Sequence, residues 1–218
     1  MTADIKARIA ERAARELKPG EIVNLGIGIP TLIPDFLRAG SKVVLHTENG
    51  LLGVGPRPGE GELDPDLIDA AKQPITALPG AAYFDSAASF AMIRGGHIDV
   101  AVLGALEVSA AGDIANWAMP GKDVLGVGGA MDLVVGARRV IVTMTATSSR
   151  GEPKVVAECT YPLTASGAVD VIVTELSVFR LRNGELHLTE LLDGVTLEDV
   201  AAVTTAPFVV SLEESHAR

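Results

Sequence analysis

What most limits the folds open to this chain is a repeated alternation of short apolar runs, glycine turns and helical stretches. Glu21–Ile27 (EIVNLGI) runs into the turn Gly26-Ile27-Gly28-Ile29-Pro30, a short helix is expected over Thr31–Arg38, and Lys42–Thr47 (KVVLHT) is the next strand. This is a βαβ unit, and parallel strands of that kind place ligand sites at their carboxyl ends. Asp99–Leu106 (DVAVLGAL) is apolar throughout, as a parallel strand buried on both faces is. Ile5, Ile9, Ala13 and Leu17 lie four apart, so a first helix is expected, capped by Asp4 and stopped by Lys18-Pro19-Gly20. Further helices are expected over Asp66–Lys72, Ser86–Arg94, just after Gly129, and over Thr196–Val203 with a capping pattern. Extended pieces are expected at Ile75–Leu78, Arg139–Met144, Lys154–Cys159, Val169–Glu175 and Phe208–Ser211. A hairpin over Val178–Leu191 should turn at Arg182-Asn183-Gly184-Glu185, because Asn-Gly is the strongest short hairpin signal. Asn49–Pro65 is rich in Gly and Pro and reads as a long irregular loop, a kind often functional in compact domains. Strands alternating with helices predict an α/β fold: a single three-layer domain over residues 1–218 with a mostly parallel sheet.

Composition removes several functions. Lys and Arg number 18 against 28 Asp and Glu, a net charge of −10, the wrong sign for non-specific nucleic-acid binding. The single cysteine, Cys159, excludes an internal disulfide and is expected as a small buried hydrophobe with an inert thiol. His97, His187 and His216 have no ligand spacing, so no metal site is expected. The N-terminal stretch alternates charge with alanine, unlike a signal peptide, and no apolar run is long enough to span a bilayer. The expectation is a cytoplasmic protein with no membrane and no nucleic-acid partner.

Three glycine-rich turns invite a shared pocket, at Gly26/Gly28, Gly50/Gly53/Gly55 and Gly126/Gly128/Gly129, all expected at strand ends. The first is not a dinucleotide fingerprint, since Pro30 stands where a spacing glycine is needed, and no Walker lysine pattern occurs. Leu45-His46-Thr47-Glu48-Asn49-Gly50 sets a glutamate at the end of a buried strand. Two roles are open to Glu48 on this pattern: a carboxylate nucleophile at a pocket mouth, ionised at neutral pH without a partner base, or a solvated acid beside an Asn-Gly turn. His46 shares the strand face of Glu48, so it either assists there or packs behind it. Trp117 reads as core or interface, and Ser148-Ser149 lacks the elbow of a serine hydrolase.

NLGIGIPT, LHTENGLLGVGP, SFAMIRGGHIDVAVLGALEVS, GDIANWAMPGK and GVGGAMDL, in this order from about Ile5 to Val210, resemble the B (β) subunit of a class I CoA-transferase. The resemblance is to the succinyl-CoA:3-oxoacid group. One departure is Thr47, where the family usually has serine before Glu-Asn-Gly; the hydroxyl is kept.

The resemblance implies a CoA-transferase-like fold and a covalent mechanism. Glu48 stands in the position of the family's nucleophile, which carries CoA as a glutamyl thioester, with a coenzyme A thioester as substrate and no tightly bound cofactor. Gly129 matches a backbone N–H donor to the oxyanion, beside Gly128. Asn24 matches a position near the substrate carboxylate, within the turn of Gly26 and Gly28. Asn49 and Gly50 complete the signature, and Lys122 is placed to meet CoA phosphate or to stand in solvent. The family unit has an A and a B half, so the resemblance implies an A (α) subunit as partner, in an α2β2 assembly, with acyl-CoA and a 3-oxo acid as substrates. Acetoacetate is the expected acceptor. The alternative is 3-oxoadipate, whose family members tend to have His-Thr-Gly after Asn-Trp, where this chain has Ala118-Met119-Pro120-Gly121-Lys122. An alternative of another class is a non-catalytic acyl-CoA or sugar-phosphate sensor of the same fold.

Overall fold

A computed structural model describes residues 2–213, apart from 39, 60, 70, 120 and 122–125. A ten-stranded sheet forms its frame. In chain order the strands are β1 (Ile22–Leu25), β2 (Val44–Thr47), β3 (Leu51–Val54), β4 (Ala77–Tyr83), β5 (Val100–Gly104), β8 (Arg139–Thr143), β10 (Val171–Val173), β11 (Ser177–Arg182), β12 (Glu185–Leu191) and β13 (Val209–Val210). Strands β6 (Glu107–Ser109), β7 (Ile114–Ala115) and β9 (Val155–Val156) make a separate small sheet. The large sheet runs β13-β12-β11-β10-β8-β5-β1-β2-β3-β4. Its centre, β10-β8-β5-β1-β2, is wholly parallel, while antiparallel pairs flank it on both sides.

The central strands carry apolar residues on both faces because each face has a layer to cover, with Asn24 of β1 and His46 and Thr47 of β2 among the buried polar exceptions. In β5, Val100 and Val102 join one core while Ala101 and Leu103 join the other. The first core is closed by helix α1 (Thr2–Ala14), through Ile9, Ala10 and Ala13, and by a 3₁₀ helix, Ile29–Phe36, through Ile33. On the opposite face lie Ile93 of α2 (Ser86–Arg94), Leu133 and Val134 of α3 (Ala130–Gly136) and Val200 of α4 (Leu197–Ala202). From β1 the chain passes to β2 on one side and later returns as β5 on the other. The strand order therefore reverses at β1, which opens a crevice at the carboxyl ends of these strands.

The hairpin forms as expected, with Asn183 and Gly184 both at positive φ (53° and 81°), as a type I′ turn needs. Thr196 and Asp199 make the expected capping box. Several expectations need correction. Asp4 lies within the first turn of α1 and is not its cap. The Gly-rich segment after Asn49 contains β3, paired antiparallel with β2, and β4 begins at Ala77 and runs on to Tyr83. The described residues of 66–72 are not helical: the Asp69 carboxylate accepts from the N–H groups of Ala71 and Gln73, both at 2.8 Å, and a local turn wins over helix. Of Lys154–Cys159 only Val155–Val156 is strand. The Gly126–Gly129 turn leads into α3, and the stretch just before it, 122–125, where its strand end was expected, lies outside the described residues.

A buried ionic cluster ties the end of α1 to the hairpin. Arg180 of β11 grips Glu16 with two hydrogen bonds of 2.8 and 2.9 Å, and Arg12 grips Glu190 of β12 at 2.6 and 2.8 Å while standing 2.9 Å from Glu16. Burial pushes the Glu16 carboxyl pKa up, but the hydrogen bonds and charges of Arg180 and Arg12 outweigh it and hold the group below its usual value. Glu16→Gln removes the carboxylate that Arg180 grips and one of the two that face buried Arg12, which keeps Glu190. Because Arg180 is partly exposed and Arg12 stays paired, the cost is expected below the roughly 3–5 kcal/mol of a fully buried broken pair. The folded carboxyl binds its proton less readily than the unfolded one. Its contribution is therefore complete above the ordinary carboxylate range and fades as pH falls through that range toward the folded value. The stability gap between wild type and Glu16→Gln, measured by urea unfolding, is expected to be full at neutral pH and to close in acid.

Candidate active site

Glu48 stands at the first position after β2, half-buried, and Asn24 on the neighbouring β1 is fully buried. The parallel register pairs Asn24 with His46, which puts the asparagine amide beside the strand end. From there Asn24 Nδ2 donates to Glu48 Oε2 at 3.1 Å. The same nitrogen lies 3.1 Å from His46 Nδ1 and 3.4 Å from the His46 carbonyl oxygen. His46 is 3% exposed, stacks on Phe84 (centroids 5.8 Å apart, planes 12° from parallel), and its Nε2 lies 3.2 Å from Ser89 Oγ. Burial lowers the imidazole pKa to about 4, so the ring is neutral at physiological pH. Of the two roles open to His46, the packed one describes its place: it sits behind Asn24 and does not touch the carboxylate.

The remaining signature residues have other tasks. Asn49 is exposed and bound within its own loop, accepting from the Thr47 hydroxyl and donating to the Ile68 carbonyl at 2.9 Å. Gly50 is buried, with φ of +122°, and its N–H donates to the Thr47 carbonyl at 3.0 Å. The Gly26 N–H is taken by Val102 O at 2.8 Å, so Gly26 serves the crossing of β1 and β5. Gly28, at φ +98°, opens the 3₁₀ helix and is exposed. Gly128 needs its glycine for a φ of +57°, whereas Gly129 has an ordinary φ of −85°. A Cβ on Gly129 would lie 2.8 Å from the Phe90 ring, so close packing requires glycine there whatever else it does. Among the described residues no hydrogen bond takes up the Gly129 N–H. Lys122 lies outside the described residues.

Sequence reasoning missed Ser89 and Phe90. These consecutive residues of α2 touch His46 and Gly129 respectively, so one helix couples the Glu48 strand end to the Gly126–Gly129 turn. The signal open to a reader of the sequence was a serine inside the apolar stretch SAASFAMIR, where a buried hydroxyl needs a partner. A cavity of about 100 Å³ lies against the same strand end, bordered by Leu25, Thr31, His46, Thr47 and Val54. Elsewhere, the Trp117 indole N–H donates to Leu163 O at 3.2 Å, a structural contact. Cys159 is half-buried and its thiol pKa is pushed up to about 11 by burial, then by Glu107 and Asp113, which leaves it unreactive. No group of three or more His, Cys, Asp or Glu residues suited to a metal occurs among the described residues, and none of their helices is long and apolar enough to cross a membrane.

A glutamate held by an asparagine amide at a parallel strand end, with one helix touching both that strand and a glycine turn, is set in a chain whose residues 6–202 match the family model described as Coenzyme A transferase. The chain belongs to the coenzyme A transferase family. It is a class I CoA-transferase B subunit, as the motifs implied, and relatives of about its own length are named as subunits B or β. It is 54% identical to the β subunit of the probable succinyl-CoA:3-ketoacid coenzyme A transferase of Bacillus subtilis, over 95% of this chain and 96% of the relative. It is 52% identical to the β subunit of the acetate CoA-transferase of Escherichia coli, over 96% of each. Among solved structures it resembles the acyl-CoA transferase YdiF of Escherichia coli O157:H7 in a thioester complex with CoA, with a TM-score of 0.76 and 25% identity. That likeness covers 94% of this chain but 41% of the longer YdiF chain, so this CoA-transferase spans about two fifths of it.

Proposed function

We propose that the chain, folded as one domain, is the catalytic B (β) half of a cytoplasmic two-subunit CoA-transferase. It moves CoA from succinyl-CoA to a 3-oxo acid, acetoacetate first among them, through a glutamyl-CoA thioester on Glu48. The observation that carries the reading is the 3.1 Å hydrogen bond from Asn24 to Glu48, which aims a carboxylate that no cation among the described residues engages. The carboxylate attacks the donor thioester carbonyl and CoA thiolate leaves, giving an acyl-glutamyl anhydride. The thiolate then attacks the glutamyl carbonyl, and the donor acid departs. The acceptor carboxylate attacks the glutamyl thioester, expelling the thiolate again. That thiolate takes the acceptor acyl group from the mixed anhydride and restores Glu48. Each enzyme-bound intermediate is an anhydride or a thioester, so an activated carbonyl is kept throughout and the thioester bond energy is not lost to water.

Each attack builds an oxyanion, and the N–H of Gly129 is the donor we assign to it; losing one such donor costs roughly 10²–10³ in kcat. Because Phe90 also demands glycine there, Gly129→Ala alone confounds packing with catalysis. Gly129→Ala combined with Phe90→Leu separates them. The double variant is expected to recover most of the melting temperature lost by Gly129→Ala while kcat stays about a hundredfold down, since the methyl still blocks approach to the N–H. A double variant with normal turnover would remove Gly129 from the oxyanion site.

A partner α chain, in an α2β2 assembly, completes the site. Relatives of about this chain's length are named as subunits B or β, which supports a site finished by a second chain. The test is co-expression with a CoA-transferase α chain and an assay of succinyl-CoA against acetoacetate, 3-oxoadipate and acetate. Transfer by the pair, none by this chain alone, and a preference for acetoacetate are expected. Turnover by the isolated chain would refute the need for a partner.

A further inference from the structure

We propose that His46 is a positioning residue for the transfer reaction: locked as its Nε2–H tautomer between Ser89 and Asn24, it holds the asparagine amide so that an N–H keeps facing Glu48. This role rests on Glu48 being the nucleophile. The assignment follows from donor and acceptor chemistry. Asn24 Nδ2 faces three groups, at 3.1 Å (Glu48 Oε2), 3.1 Å (His46 Nδ1) and 3.4 Å (His46 O). An ionised carboxylate and a backbone carbonyl only accept, so the NH₂ end must point at them. An amide nitrogen cannot accept, so His46 Nδ1 must, which places the ring proton on Nε2. Nε2 lies 3.2 Å from Ser89 Oγ and therefore donates to it. Every polar atom of the ring is used.

The other end of the amide explains why the histidine matters. Asn24 Oδ1 is buried with no hydrogen-bond partner among the described residues, so nothing holds the amide by its oxygen. Its orientation depends on the acceptors around Nδ2 alone. One of these, the Glu48 carboxylate, loses its charge when it becomes an anhydride and then a thioester. The hold from Glu48 therefore weakens during the intermediates, when an N–H toward the glutamyl carbonyl is needed. His46 Nδ1 is an acceptor the reaction does not alter. Burial keeps the ring uncharged; a protonated ring would turn an N–H toward the Asn24 NH₂, donor against donor. Phe84, stacked at 12°, fixes the ring plane.

Three substitutions in the assembled enzyme distinguish positioning from packing. Asn at 46 keeps an acceptor where Nδ1 stands; Leu fills the space with none; Gln carries its amide toward Ser89. If His46 positions Asn24, His46→Leu and His46→Gln lower kcat about 100-fold, the cost of roughly an ångström of misplacement. The KM for acyl-CoA changes little, and His46→Asn recovers most of the rate of glutamyl-CoA formation in a single turnover. If His46 merely packs, the order reverses, since apolar Leu suits a buried site better than Asn. A second readout is independent of activity: the ¹⁵N spectrum of the histidine-labelled wild-type chain should show His46 as the Nε2–H tautomer at neutral pH, with the Nδ1 signal moving in Asn24→Leu. An Nδ1–H or charged ring, or His46→Leu faster than His46→Asn, would overturn the proposal. A wild-type complex that forms no adduct yet shows the Nε2–H tautomer would instead refute Glu48 as nucleophile.

Discussion

With acyl-CoA and no acceptor, the assembled enzyme is expected to accumulate CoA on Glu48, visible as a mass increase of one CoA less one water and mapped to the peptide holding Thr47-Glu48-Asn49. Glu48→Gln should show neither adduct nor turnover. The amide is nearly the same shape as the carboxylate, and Asn24, which donates to Oε2 at 3.1 Å, can still bond an amide oxygen. The fold should therefore survive with a melting temperature within a few degrees. What is lost is the nucleophile, because an amide oxygen is a poor attacker of thioesters. Loss of a covalent nucleophile can cost about 10⁶ in kcat, so a fall of at least roughly 10⁴ is expected. Glu48→Asp should also fail. Its carboxylate is one methylene short, moving the attacking oxygen about 1 Å from both the thioester and the Asn24 amide, and such a shift can cost ~100-fold. A solvated turn glutamate, the other role open to this residue, predicts near-normal rates for both variants. An active Glu48→Gln complex without adduct would end the covalent mechanism.

The parts of this site written in local sequence were legible, and the parts built by distant packing were not. Glu48 stands at a strand end where an apolar run meets glycine, so its placement could be read from the local pattern, whereas Asn24, inside β1, was singled out only by the family resemblance. Their contact needs only that β1 and β2 be parallel neighbours, which the βαβ pattern implies. Ser89 could not be placed: it reaches His46 across 43 positions, and a helix of sequence SAASFAMIR says which face is apolar but not what lies under it. For Gly129 a tight turn and an oxyanion donor were both open; its φ of −85° makes the first needless, and close approach to Phe90 supplies a packing reason that the local sequence does not show. The failed helix at 66–72 is of another kind. DLIDAAK has helical composition, but Asp69 bonds its own neighbours' N–H groups, and Ile68 bridges to Pro74, so a turn replaces the helix. In 49–65, glycine content concealed β3. Gly53, at φ +90°, sits where the β3–β4 register shifts, which lets a strand absorb a residue that usually breaks one.

The largest loss of stability is expected from Gly50→Ala. A Cβ built on Gly50 would lie 2.0 Å from the carbonyl oxygen of Phe84, and both sides of that collision are backbone, so no rotamer change relieves it. The φ of +122° adds conformational strain for any side chain, about 1–3 kcal/mol. The two segments also cannot part freely. Phe84 N–H donates to Gly50 O at 3.0 Å, and Leu51 pairs with Tyr83 in the adjoining ladder. Relief must come from opening the β3–β4 pairing, which would shift Phe84 off the His46 ring that backs Asn24. The total should exceed roughly 4 kcal/mol, the range reached only by overpacking or strain of this type. For a chain of this length that is a fall in melting temperature on the order of 10 °C. Gly28→Ala provides the comparison: its φ is also positive, at +98°, but nothing lies within 4 Å of an added Cβ. It should carry the strain alone and melt only a few degrees lower. Equal melting temperatures for the two variants would mean that the Gly50–Phe84 approach is not what fixes this strand end. If instead Gly50→Ala folds weakly and loses adduct formation while Gly28→Ala keeps it, the glycine of the Glu-Asn-Gly signature acts through packing against Phe84, one strand away from the chemistry it supports.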